Sequence, residues 1–125
     1  MNKIPEHITE KFLRDNPNMV FVFGDNLLHV GKGGAAILRD EPNAYGFITK
    51  KYPNNNDASF YRPEEYEEVF EEELSILMIS IINNPNKIYL ITKLGAGLAN
   101  RYHIYEKVIK PGLEVLDAFE NVRIL

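Results

Sequence analysis

At 125 residues the chain has room for one domain, residues 1–125, with a buried core, and 45% hydrophobic with 26% charged residues is the balance of a globular protein rather than a disordered one. Zero cysteines exclude a disulfide framework and a thiolate metal site, and no apolar run is long enough for a signal peptide or a membrane span, so a cytoplasmic protein is expected. The net charge of −4 hides a division: seven of the 18 acidic residues lie between Glu64 and Glu73, which leaves 14 basic against 11 acidic residues elsewhere, a surplus that suits a small anionic ligand and is too small to argue for long nucleic acid.

In chain order, "PEHITEKFLRDNP" predicts a short amphipathic helix that opens at Pro5, sets Ile8, Phe12 and Leu13 on one side and stops at Asn16-Pro17. "MVFVFG" is an uninterrupted apolar run, as a strand buried on both faces requires. "GGAAILRD" predicts a helix that starts in a glycine loop and is closed by Pro42. "AYGFITKKYP" reads as a second extended segment and "NNNDASFYRP" as a polar loop. A long helix is expected from Pro63 to about Asn83, its early glutamates complementing the helix dipole and its later "LSILMISII" apolar all round, so that it is either deeply buried or meets another subunit. "KIYLITK" is a second buried strand, "IYEKVIKPGLEVLDAF" a helix split at Pro111-Gly112, and "VRIL" a terminal strand. Strands alternating with helices predict a single three-layer α/β/α domain, here with a mixed central sheet.

Both strong strands run into glycine loops at their carboxyl ends, "GDNLLHVGKGG" after the first and "LGAGLAN" after the other. In open α/β sheets that end of the strands holds the ligand crevice, and glycine lets backbone N–H groups approach negative oxygens. Neither loop carries the Walker spacing, and Asn100 stands where a dinucleotide fingerprint has its third glycine, so a kinase, ATPase or nicotinamide oxidoreductase is not expected.

"VFVFGDN", "GKGGAA" and "ITKLGAGLAN", in this order, resemble a group of short, mostly phage-encoded nonstructural proteins over residues 19 to about 115. More distantly the order is similar to that of the macrodomain, the ADP-ribose-binding α/β module. The macrodomain resemblance implies that Asn26 contacts a distal ribose, that Gly33, Gly34 and Ala35 form the ribose loop, and that Gly95, Ala96, Gly97 and Leu98 form the pyrophosphate loop. Lys32 inside the first loop, the short chain and the lack of a clear acidic residue for adenine depart from that pattern.

The side chains nearby admit two readings each. Lys32 pairs with a phosphate or is solvated; Arg39 bridges to a carboxylate or meets the ligand; Asp25, beside Gly24, orients a hydroxyl or belongs to the turn. Thr49, Lys50, Lys51 and Tyr52, with Phe60, Tyr61 and Arg62, offer cations and a stacking face, of which Lys50 and Tyr61 are the candidate contacts; Thr92 and Lys93 precede the second loop. His7, His29 and His103 are dispersed, so no metal site is expected; His29 is an acid or base or merely polar. The expectation is a cofactor-free binding protein for a small ADP-ribose-like nucleotide, homo-oligomeric, which on the phage resemblance sequesters a nucleotide signal of host immunity. The rivals are an ADP-ribosyl hydrolase using Asp25, Asn26 or His29, and an interaction module using helix 63–83.

Overall fold

In the computed structural model, which describes residues 3–125, the apolar runs become the four strands of one sheet: β1 (Met19–Asn26), β2 (Ala44–Lys50), β3 (Ile88–Ile91) and β4 (Val122–Ile124). Their order is β2-β1-β3-β4 and all three pairings are parallel, which corrects the expected mixed sheet. The reason is in the connections. Each of the first three strands is followed by helical segments that return the chain to the end of the sheet where that strand began, so no two neighbours are joined by a hairpin. An isolated antiparallel bridge joins Lys50, the last residue of β2, to Phe60.

The alternation of β1 explains why its sequence is apolar throughout. Val20 and Val22 enter one core cluster with Tyr89, Ile91 and Val122, while Met19, Phe21 and Phe23 enter the other with Leu90. The long helix α2 (Pro63–Asn83) and α3 (Lys110–Leu116) cover the first face; α1 (Glu10–Asp15) and a single 3-10 turn, Gly34–Leu38, cover the second. Helix α1 begins at Glu10 rather than near Pro5, because the Thr9 hydroxyl accepts the Phe12 N–H at 3.1 Å and caps it there. Helix α2 has the predicted bounds: Pro63 stands in its first turn, and Glu65 accepts the Arg62 N–H at 3.0 Å as one half of a capping box.

Before α3 the chain widens into a π-turn, Tyr105–Ile109, immediately ahead of Pro111, which has no N–H to close an ordinary turn. Gly112 has a different task. A Cβ there would lie 2.3 Å from Phe70 Cζ, so α3 approaches α2 at van der Waals contact through this residue. Gly112→Ala is expected to cost about 1–3 kcal/mol in urea unfolding, the usual penalty of overpacking.

Two side chains of α2 also close the outer edge of β2. Tyr66 donates its hydroxyl to Ile48 O, and Glu73 accepts the Ile48 N–H at 2.6 Å. On the same edge the Ala44 N–H goes to Glu41 O and Lys50 is bridged by Phe60. Among the described residues no helix is long and apolar enough to cross a membrane, and no group of three His, Asp or Glu side chains is placed to hold a metal ion.

Candidate ligand cleft between the glycine loops

The order β2-β1-β3-β4 reverses direction between β1 and β3. From β1 the chain crosses to β2 over the face that carries α1; from β3 it crosses to β4 over the face that carries α2. Adjacent strands whose connections part in this way leave a crevice at their carboxyl ends. A cleft of about 540 Å³ lies there, between the loops after β1 and β3 and beside the end of β2.

Of the residues singled out from the sequence, Gly24, Asp25 and Asn26 line this cleft at the end of β1, and Gly33, Gly34 and Ala35 on the first loop. Lys50 lines it at the end of β2, and Thr92, Lys93, Gly95, Gly97 and Leu98 after β3. Gly33, Gly34 and Gly97 are exposed, and a Cβ built on any of them would meet nothing within 4 Å. Among the described residues, no acceptor of the chain takes the N–H of Gly33, Gly34, Ala35, Gly97 or Leu98. The predicted helix after the first loop is only the five-residue 3-10 turn, so its N–H groups, not a helix dipole, are what the loop offers an anion.

The first loop is held by Asp25. Its carboxylate, 2% exposed, receives Arg39 Nη2 at 2.7 Å and Nη1 at 3.0 Å, lies 2.8 Å from His29 Nδ1 and accepts the Asn26 N–H at 2.8 Å. Burial alone would raise the Asp25 pKa; the bonds from Arg39, His29 and the Asn26 N–H outweigh it and hold the carboxyl below its ordinary range. The same guanidinium donates to Gly31 O and Val30 O, at 2.9 and 3.2 Å, and lies over the Phe23 ring. Arg39 thus ties the glycine loop to the end of β1, which is the carboxylate-bridging reading of this residue. Asn26 works locally too: its Nδ2 donates to Val30 O at 2.8 Å and its Oδ1 accepts the Leu28 N–H at 3.0 Å.

Across the cleft, the Thr92 hydroxyl donates to Val22 O at 3.0 Å and extends the β1–β3 ladder by one bond. Gly95, with φ +79°, is buried; a Cβ on it would sit 2.4 Å from Ile109 Cδ1, so this glycine serves packing as well as the loop. Lys50 Nζ and the Arg101 guanidinium both lie against the Phe60 ring, 4.8 and 4.1 Å from its centre. Partial burial, and then the charge of Arg101, lower the Lys50 pKa.

Four candidates fall elsewhere. Tyr61 is buried in the core, its ring 5.1 Å from that of Tyr66 and 5.2 Å from Lys51 Nζ, and does not line the cleft; Phe60, the neighbour on the other side of an extended segment, is equally buried and lies against Lys50 and Arg101. Lys32 pairs with Asp40 at 2.5 Å and does not line the cleft, nor does Ala96, whose N–H closes a turn to Lys93 O. His29 holds a positive φ of 54° in a turn and also lies outside the lining. The lining includes Val30, Pro53 and Asn55, which no sequence motif marks; the signal for the last two is that they follow the carboxyl end of β2.

The model of a family of unknown function (DUF7831) matches residues 3–101. The chain belongs to DUF7831. No curated protein and no solved structure matches it. The stretch shared with DUF7831 contains both glycine loops and the clasp between Asp25 and Arg39, and ends before α3.

Proposed function

We propose that the protein binds a small ADP-ribose-like nucleotide whose ribose-phosphate portion lies between the loops at residues 31–35 and 95–98. The observation that carries this reading is the pair of exposed glycine loops that line one cleft at the switch point of a parallel sheet and keep N–H groups that no acceptor of the described residues takes. Lys50 and Lys93 add positive charge on the cleft wall, and Leu98, 77% exposed, adds apolar surface for a base or sugar. Binding without turnover is favoured because Asp25, the one carboxylate lining the cleft, is already shared among Arg39, His29 and Asn26 and is poorly suited to accept a substrate proton. On the resemblance to short phage-encoded proteins, the role we assign is sequestration of a nucleotide signal made by a bacterial host's immune system, in that host's cytoplasm. Macrodomain-like architecture, beyond the parallel α/β sheet, belongs to the same proposal.

Hydrolysis of an ADP-ribosyl bond has one observation in its favour, the 2.8 Å contact of His29 Nδ1 with Asp25, which orients an imidazole as catalytic dyads do. Against it, His29 does not line the cleft. Thermal denaturation with ADP-ribose, its cyclic isomers, NAD, cyclic dinucleotides and ATP tests the proposal. A ligand at about a hundredfold its Kd adds about 2.7 kcal/mol, a rise of several degrees in a domain of this size. The expected result is a rise confined to ADP-ribose species, with the ligand recovered unchanged after denaturation. Recovered hydrolysis product, lost in His29→Ala, would establish the enzyme; no rise with any nucleotide would reduce the loops to turns.

A further inference from the structure

The second half of α2 buries Leu77 and Ile81 almost completely, yet Ile76, Ile79 and Ile82 are 48%, 59% and 59% exposed. Spaced three residues apart, they form one apolar ridge on a helix whose other side is already packed on the sheet. The first half of the helix exposes Glu64, Glu67, Glu68, Glu71 and Glu72, none of which is ion-paired among the described residues; Glu65, which is, reaches Lys51. Beyond the far end of the helix stands Lys87, exposed and likewise without an ion pair.

We infer that the ridge is covered by a second copy of this chain, with the two α2 helices antiparallel about a two-fold axis at Ile79. The charge pattern selects this occupant and this direction. A parallel pairing would lay five glutamates beside five glutamates. An antiparallel pairing centred on Ile79 sets Ile76 against Ile82 of the second copy and carries the acidic half of each helix past the end of the other, where Lys87 stands. Lys87 lies four residues past Asn83, in the turn beyond the end of α2 that the acidic half of the second copy overruns, so the symmetry carries the Glu71 end of each helix toward a Lys87 of the other copy twice. The ridge is thus self-complementary in apolar surface at its centre and in charge at both ends. This inference does not depend on what the cleft holds.

The absence of native cysteine makes the test direct. In Ile79→Cys the introduced thiols face each other across the axis, so a short bismaleimide should link two chains quickly. In Glu64→Cys the thiols of an antiparallel pair stand about 45 Å apart, from fifteen residues on each side at 1.5 Å per residue, and should not be linked. Light scattering should give twice the chain mass for the wild type. Ile79→Glu should weaken association at least tenfold while leaving the far-UV circular dichroism of the folded chain unchanged, since the side chain is exposed in the single chain. Glu71→Lys should weaken it also, and adding Lys87→Glu should restore it. A wild type that stays monomeric would overturn the inference, even if it captured a basic partner, and so would equal linking of the two cysteine variants or a double charge swap without rescue.

Discussion

Arg39→Met should lower the free energy of unfolding by about 3–5 kcal/mol, because it leaves a carboxylate that is 2% exposed with neither of its guanidinium bonds. It should also loosen the loop at Val30 and Gly31, whose carbonyls the same side chain holds. The decisive readout is the pH dependence. In the wild type the Asp25 pKa is depressed in the folded protein, so the stability it contributes is complete above the unfolded value of 3.8 and is lost as pH falls through the lower folded value. In the variant burial acts with only His29 and one N–H against it, so the folded pKa rises. Whatever portion of that rise carries it above 3.8 turns the contribution round, and stability then falls as pH climbs through the range between the two values. Glu73, whose pKa burial raises, works in this second direction in both proteins, so the difference between their profiles isolates Asp25. Urea midpoints taken at intervals from about pH 3 to 7 should therefore diverge most at neutral pH, where the unpaired charge is most costly. Parallel profiles would mean that Asp25 does not depend on Arg39.

The second large effect is on binding alone. Gly33 has φ −79° and ψ 142°, ordinary extended values, and a Cβ on it would touch nothing. Gly33→Val should therefore leave stability within about 0.5 kcal/mol of the wild type, as surface substitutions do. Its side chain would project from a loop that lines the cleft, so nucleotide affinity should fall at least tenfold in isothermal titration. Gly34 is a poorer probe: at φ +57° any side chain is strained, and a loss of binding there would be confounded with a loss of loop geometry. Unaltered affinity in Gly33→Val would show that the ligand does not approach this loop.

The elements that could be read from the sequence were those whose cause is local. The apolar runs of β1 and β3, the Pro63 start of α2 and the glycine loops after both strands all follow from residues adjacent in the chain. Strand direction was not legible in this way. It depends on where the β1–β2 and β3–β4 crossovers run, and a short strand such as Val122–Ile124 carries no mark of its direction. The clasp was half legible: Arg39 could be expected to find a carboxylate, but its partner is fourteen residues back at the end of β1, a separation no helical or strand period encodes. Tyr61 and Phe60 illustrate the remaining gap. Both are buried aromatic residues beside cations, and a one-residue alternation that only the packed structure sets puts Tyr61 in the core cluster of α2 under Lys51 and Phe60 against Lys50 and Arg101.

The closed rim of β2 has a bearing on how this molecule can and cannot polymerise. A parallel sheet that ends in a bare strand invites another strand to continue its ladder, and from there fibres and precipitates can grow. Here a stranger arriving at that border finds Ala44 committed to Glu41, Ile48 held from both sides by Tyr66 and Glu73, and Lys50 bridged by Phe60. Gly46 alone is left between them, too short a foothold to seed growth. Crowding many copies together, as high expression demands, then offers them no ladder to continue along this border.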